Sequence, residues 1–491
     1  MTVDDNFEAA DEGRRGSLGL GPIGRWFDSD PAWLASAILH LTLLILGALL
    51  VMGAAEDDTL SLSVGVAEDL GEQMIEESLD LTAATELEVP EQLITPELLP
   101  EVNDPLATPP EAPVTPTGIG MASDLAVVSP GVALSGRTPG MKQMLLKQMG
   151  ATAQTEAAVL AGLKWLQKQQ RKDGGWSLKG PYAQGSPNEN REAATAMALL
   201  AFQGAGKLPT NSRDDFGRVV RRGWNWLLER QNEDGSFFHR GGSNHRFYTE
   251  ALCTIALCEL LAMTGDEQYR KPASKAVEYL ISSQSELGGW KYYPGPQSDL
   301  SVTGWVLMAL KSARMAGIEV PSPVFLKIED YLDTVSRAES MSDIDRGSRY
   351  VYESSDIFNR EAIPTMTAVG LLCRQYLGWP LDERRLESGV DFLLTHKPEW
   401  RRGKTNLYYW YYATQVLMHK GGASWPKWNL VMRELLPEHQ EKKGPEKGSW
   451  DPRDDMPWGA SGGRLYTTCF AIYTLEVYYR HLPLYKQRAT H

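Results

Sequence analysis

Three stretches of this chain share one pattern: QQRKDGGW at residues 169–176, QNEDGSF at 231–237 and QSELGGW at 284–290. Each sets a Gln, then a Gly four residues on, then a large aromatic two after that. The sets are Gln170/Gly174/Trp176, Gln231/Gly235/Phe237 and Gln284/Gly288/Trp290. Each follows an amphipathic run: LAGLKWLQKQ, VRRGWNWLLER and ASKAVEYLISS. A fainter copy, GPEKGSW, ends at Trp450 and has Gln440 upstream. Spacings of 61 and 53 residues between the Gln positions are those of stacked supersecondary units. The residue types have a local physical reading. A Gln at a helix C-terminus can bond a terminal carbonyl or the amides of the next helix. The Gly permits a left-handed turn, and the aromatic folds back to pack on it. The motif reads as a structural clasp between repeats, without a catalytic role.

The chain between the clasps completes the repeat. From about residue 141, twelve helix-like segments fall into six pairs. The first members, 156–170, 216–231, 268–284, 323–337, 382–396 and 425–440, are amphipathic with a wide polar face. The second members are apolar nearly all round, as in EAATAMALLAFQGAG, FYTEALCTIALCELLAMTG and SVTGWVLMALKSARMAG. A helix apolar on all faces is buried, whereas one with a single apolar stripe lies at the surface. Most inner segments end at a Gly (Gly206, Gly265, Gly317, Gly378), as helix C-caps do. No run alternates as a strand does. The predicted fold is all-α: an (α/α)6 toroid of six helical hairpins, with an inner barrel, an outer ring and a central cavity at one end. Cys253, Cys258, Cys373 and Cys469 all lie in apolar segments and read as small core residues.

The net charge of −14 is unevenly spread. Residues 1–140 hold 24 acidic and 4 basic side chains, so the rest of the chain is mildly basic. No basic tract suggests nucleic acid. Residues 31–55, PAWLASAILHLTLLILGALLVMGAA, carry no charge and are long enough to span a bilayer. Arg14, Arg15 and Arg25 precede them, and no Lys or Arg follows until Arg137. That asymmetry places residues 1–30 in the cytoplasm and the remainder outside it, on a single-pass anchor in the inner (cytoplasmic) membrane. A cleaved signal peptide is the competing reading. Residues 56–140 have no Phe, Tyr or Trp and carry 17 acidic residues. Such a Pro-rich acidic segment reads as a disordered, extended linker. The toroid is expected over 141–491. Ser36 and His40 share a face of the span, where a polar pair suggests contact with a membrane partner. Together with the linker, they resemble the single-helix anchor of TonB-type proteins.

The clasp after an outer helix resembles the repeat of squalene cyclases and of their relatives, the protein prenyltransferase β subunits, over roughly 150–485. The resemblance implies residues to check. Alkene-protonating cyclases use Asp-x-Asp-Asp-Thr-Ala at the start of an inner helix. DLSVTG at 299–304 keeps Asp299 and Thr303 but has Ser301 and Val302 in place of the central acids. Protein prenyltransferases hold zinc with Asp, Cys and His, and Thr467 stands where that His is expected. Three ligands are normally needed for such a zinc, so neither a metal nor another cofactor is expected. The α-macroglobulin thioester motif is absent. The residues expected to line the cavity, at the N-terminal ends and loops of inner helices, are Glu250, Asp299, Ser301, Thr303, Tyr408, Tyr409, Trp410, Arg464, Tyr466 and Thr467. Asp299 also suits a helix N-cap, and Asp454/Asp455 could be an acid pair or part of an exposed charged loop. Three functions stay open: a toroid binding an isoprenoid, another lipid or a peptide segment without cyclase chemistry; a terpene-processing enzyme using Asp299 or Asp454/Asp455; and a carbohydrate-active (α/α)6 enzyme.

Overall fold

The computed structural model describes residues 132–211, 214–242, 244–337, 346–356, 361–455 and 458–485, all within one structural unit of the chain. The charge-free span with Ser36 and His40, and the linker up to residue 131, lie outside the described residues. Six amphipathic helices, α2 (Ala153–Gln169), α4 (Asp215–Leu228), α6 (Arg270–Ser282), α8 (Ser322–Thr334), α10 (Arg384–Thr395) and α12 (Ser424–Glu438), alternate with six apolar ones. The apolar helices are α3 (Arg191–Gly204), α5 (Arg246–Thr264), α7 (Leu300–Met315), α9 (Pro364–Tyr376), α11 (Leu407–Lys420) and α13 (Gly459–Leu475). Each apolar helix packs on the next, and α13 returns to α3, so the six close into a ring. The difference in apolar pattern decides the layer. Every residue of α7 except Arg314 is buried. In α4 only Phe216, Gly217, Val219, Val220, Gly223, Trp224, Trp226 and Leu227 are, a stripe at helical spacing. α5 is long and apolar enough to cross a membrane, but it is buried in this inner ring.

The clasps tie the outer ring together. Nε2 of Gln170 donates to Gly174 O and to Val219 O on α4, both at 2.8 Å. Gln231 makes the same pair of bonds to Gly235 O and Pro272 O on α6, and Gln284 to Gly288 O and Val324 O on α8. One amide thus satisfies a turn carbonyl and an early carbonyl of the next outer helix. The faint fourth copy is a full clasp. Gln440 Nε2 donates to Gly448 O (2.9 Å) and Ala158 O (2.8 Å), which joins α12 to α2 and closes the outer ring. Gly448 has φ +95°, and a Cβ there would lie 2.3 Å from Ala161 O. Trp176, Trp290 and Trp450 are buried, and each indole donates to a carbonyl of its own outer helix, at Leu166, Leu280 and Leu436. Their backbone N–H groups donate to Thr195, Thr303 and Thr468 on the next inner helix. Burying a Trp removes 150–250 Å² from water, so each ring contributes about 4–6 kcal/mol before side-chain entropy is subtracted.

Two departures from the sequence reading concern this framework. Between α8 and α9 the clasp is replaced by a short antiparallel ladder, β1 (Ser336–Arg337) with β2 (Arg349–Tyr350). Tyr350 takes the Trp position there, with its N–H on Thr367 Oγ1 and its ring over Gly370. Arg349 Nη1 donates to Ser388 O on α10, the contact a clasp Gln makes elsewhere. The end of the expected linker is also helical rather than extended. Val132–Arg137 forms a 3-10 turn and α1 spans Pro139–Met149, both packed on the short last helix α14 (Val477–Arg480). Arg137 is 3% exposed, so the chain is tied to the toroid before residue 141.

Candidate functional site

The clasp turns and the N-termini of the inner helices share one end of the barrel. Most residues expected to line a cavity there are engaged in structure instead. Asp299 is the N-cap of α7: Oδ1 accepts from Val302 N at 2.8 Å. Burial pushes its pKa up to about 7, against the Val302 N–H, the Tyr352 hydroxyl and Lys291, which pull it down. Glu250 accepts from Phe237 N (2.7 Å) and Phe238 N (2.9 Å), so it completes the second clasp where other repeats use Thr. Burial lifts it to about 7 as well. Thr303 receives the Trp290 N–H, and Thr467 Oγ1 donates to backbone carbonyls at Trp450 and Gly463. Tyr409 turns outward, with its hydroxyl on Leu393 O and His396 O of the α10 end. Trp410 packs on Trp400. Arg464 pins the 183–184 turn and Asp451 to the start of α13.

Asp454 and Asp455 do not act as a pair. Asp454 accepts from Trp400 Nε1 at 3.2 Å. Asp455 is fully buried, accepts from Leu407 N at the first turn of α11, and is pushed up to about 7 by burial. It is neither a free acid nor part of an exposed loop. What does converge on the barrel axis is a set of hydroxyls. Ser301 Oγ lies 2.8 Å from Tyr248 Oη and 2.7 Å from Tyr408 Oη, and Trp305 Nε1 donates to Tyr408 Oη at 3.1 Å. Tyr466 lies against Phe470 with ring centroids 4.4 Å apart, and its hydroxyl is buried. Sequence reasoning missed Tyr248 and Trp305.

Below the hydroxyls the axis is filled by rings. Trp305 stacks on Tyr411 (5.8 Å, 13°) and meets Tyr412 and Phe470 edge-on at 5.9 and 6.0 Å. Tyr408 and Tyr473 pack on the same group. Of the aromatic run, Tyr408, Tyr411 and Tyr412 therefore plug the barrel rather than lining an open cavity, while Tyr409 and Trp410 face the outer ring. A small space lies beyond the plug, between the C-terminal halves of the inner helices. Its lining includes Glu259, Lys311, Met315, Tyr376, Arg480 and His481, and it has room for little more than a water molecule. Among the described residues no group of three His, Cys, Asp or Glu side chains is placed to hold a metal ion.

Comparison with known proteins agrees with this architecture. The family described as "Prenyltransferase alpha-alpha toroid domain" matches residues 143–344. A probable squalene–hopene cyclase of Sinorhizobium fredii is 27% identical over 213 residues, 38% of this chain and 31% of that protein. The squalene–hopene cyclase of Bradyrhizobium diazoefficiens is 32% identical over 152 residues, 30% of this chain and 21% of that protein. The chain thus spans less than a third of the length of these curated relatives. Among solved structures, a type II terpene cyclase from Scytonema aligns at 14% identity and a TM-score of 0.43, over 66% of this chain and 96% of that one. An α-1,6-mannanase of Salegentibacter aligns at 11% identity and a TM-score of 0.44, over 64% and 97%.

Proposed function

Because the chain carries a toroid of the squalene cyclase and prenyltransferase type, we propose that it is a membrane-anchored, extracytoplasmic binding toroid without cyclase chemistry. The filled barrel axis carries this reading: Trp305, Tyr408, Tyr411 and Phe470 occupy the volume that a folded polyprenyl chain would need. The acid is missing as well. Ser301 and Val302 leave Asp299 without a carboxyl neighbour in its motif, and burial makes it a weaker acid than a free aspartate. The charge-free span 31–55, with arginines only on its leading side, motivates the membrane placement. Ser36 and His40 would face a partner within the bilayer.

The ligand that suits the mouth best is a peptide segment. Tyr293 and Trp458, 51% and 38% exposed, stand in the loops that precede α7 and α13. The Arg246 guanidinium lies 5.1 Å from the Phe238 ring and 5.9 Å from Tyr293. Such a rim offers aromatic and cationic contacts, whereas an isoprenoid or other lipid chain would have to displace the aromatic plug. A second reading, an enzyme with a non-standard acid, draws on Asp299 and Asp455. Their pKa of about 7 suits general acid–base work near neutrality better than protonation of an alkene. The test is to incubate the detergent-solubilised chain with squalene and analyse extracts by gas chromatography. No cyclic product is expected. A hopene-like product above a heat-killed control, lost in Asp299→Asn, would overturn the proposal.

A further inference from the structure

The outer ring is unevenly charged. On the outward face of α2 and α4, and on the first clasp turn that joins them, Lys164, Lys168, Arg171, Lys172, Arg221 and Arg222 are all exposed. The turn gathers these cations into one surface, because Arg222 Nη2 donates to Arg171 O (3.0 Å) and Lys172 O (2.7 Å). The remaining bonds of the set also go to carbonyls: Lys168 to Pro445, Arg171 to Gly180 and Arg221 to Pro209. A carbonyl holds a cation in place without neutralising it. The acids nearby are engaged elsewhere. Asp173 pairs with Arg191, Asp215 with Arg218 and Glu156 with Lys142, while Glu446 accepts from Trp165 Nε1 and Ala183 N. Among the described residues no carboxylate is ion-paired with any of the six. The face is local, since α8 and α10 across the ring carry Glu329, Asp330, Asp333, Glu387 and Asp391.

The same chain carries the opposite charge just outside the toroid. Residues 56–131 hold 17 acidic side chains and no Lys or Arg. Seven of them, Glu86, Glu88, Glu91, Glu97, Glu101, Asp104 and Glu111, fall within residues 86–111. The place where the described chain begins puts this segment within reach. The strap formed by Val132–Arg137 passes the α3–α4 turn, where a Cβ built on Gly206 would lie 2.6 Å from Arg137 O. The linker therefore leaves the toroid on the side where α4 starts. Residues 112–131 can span up to about 66 Å when extended, whereas the 14 residues of α4 rise only about 21 Å.

We propose that the basic face of α2, the first clasp turn and α4 is the docking surface for residues 86–111 of the chain's own acidic linker. A single exposed ion pair contributes little. Several cations on one surface, facing several carboxylates on a tethered segment, act together because the tether fixes a high local concentration of the partner. Docking shortens the reach of the linker and covers the cations, so salt sets how far the toroid can stand from residue 56. An anionic lipid surface carries the same charge, but the linker is joined to the toroid beside this face and meets it wherever the chain resides. The face lies on the outer ring, away from the mouth, so it stands or falls independently of the proposed peptide ligand.

The test treats the full chain, in detergent at low salt, with a carbodiimide that joins amines to carboxyls without a spacer, and maps the links by mass spectrometry. Links from Lys164, Lys168 and Lys172 to the acids of 86–111 are expected within the monomer, at least about fivefold above those from Lys327 and Lys427, which are exposed on α8 and α12. They should fall at least about fivefold in 1 M NaCl, where the screening length is about 3 Å. Replacing Glu97, Glu101 and Glu111 by Gln and Asp104 by Asn leaves the toroid untouched, and should cut the links from Glu86, Glu88 and Glu91 to the same extent. Equal links at Lys327 and Lys427, links indifferent to salt or to those replacements, or links found only in a dimer would overturn the proposal. The chain is also reconstituted in nanodiscs of neutral and of anionic lipid. The links should persist in both; their loss in anionic discs alone would assign the face to lipid and overturn the linker as its occupant.

Discussion

Replacing Gly448 by Ala probes the ring closure directly, and Gly444 supplies a control inside the same loop. Both glycines have positive φ, +95° and +75°. An L-residue held in that region costs about 1–2 kcal/mol, and the two substitutions narrow the unfolded chain equally. They differ in what the new methyl meets. Around Gly444 nothing lies within 4 Å of a built Cβ, whereas at Gly448 the Cβ falls 2.3 Å from Ala161 O and 2.8 Å from its carbon. Those atoms belong to the α2 backbone and cannot rotate away, so α2 and the 440–450 turn must separate. The separation pulls apart the two bonds of Gln440, to Ala158 O and Gly448 O. At roughly 1 kcal/mol each, their loss brings the expected cost of Gly448→Ala to about 3–5 kcal/mol, against about 1–2 kcal/mol for Gly444→Ala. Urea unfolding of both variants, followed by far-UV circular dichroism, reads the difference. Equal losses at the two positions would show that the fourth clasp does not hold α12 to α2.

Three further outcomes follow from the same structure. Trp290→Ala should cost roughly 3–5 kcal/mol in urea unfolding, as large core truncations do; a loss under about 1 kcal/mol would refute the packing role of the clasp ring. Asp455→Asn should flatten the pH dependence of stability. Its folded pKa of about 7 is raised above the ordinary 3.8, so its contribution is full below pH 3.8 and is lost as pH rises through 7, by roughly 4 kcal/mol. Asn keeps the bond from Leu407 N, so the variant should match wild type near pH 4 and surpass it at pH 8, and parallel pH profiles would refute this. A fragment beginning at residue 132 should outlast one beginning at 141 by about 3–5 kcal/mol, because the shorter one strands Glu259 without Arg137. Equal melting of the two fragments would remove the strap from the fold.

The parts of this fold that were legible in the sequence are those whose cause is local. A Gln, a left-handed Gly and an aromatic within seven residues state their own geometry, and the apolar pattern of α7 against that of α4 states its layer. The fourth clasp was faint because Gln440 and Gly448 are eight residues apart rather than four, though the amide makes the same two bonds. The plug was not legible in this way. Whether Trp305 lines a cavity or fills it depends on Tyr411 and Phe470, which reach it only through closure of the whole ring. The sequence reading therefore put an open cavity under the inner-helix N-termini, where the structure has hydroxyls capping stacked rings. One signal for the other end was present all along. Glu259 and Lys311 are charges in the later turns of α5 and α7, helices that are buried on every face. Each can point only at a neighbouring inner helix or at the axis. A carboxylate this deep in α5 therefore specifies a polar floor to the barrel, and with it the need for the cations that Arg137 and Arg480 supply.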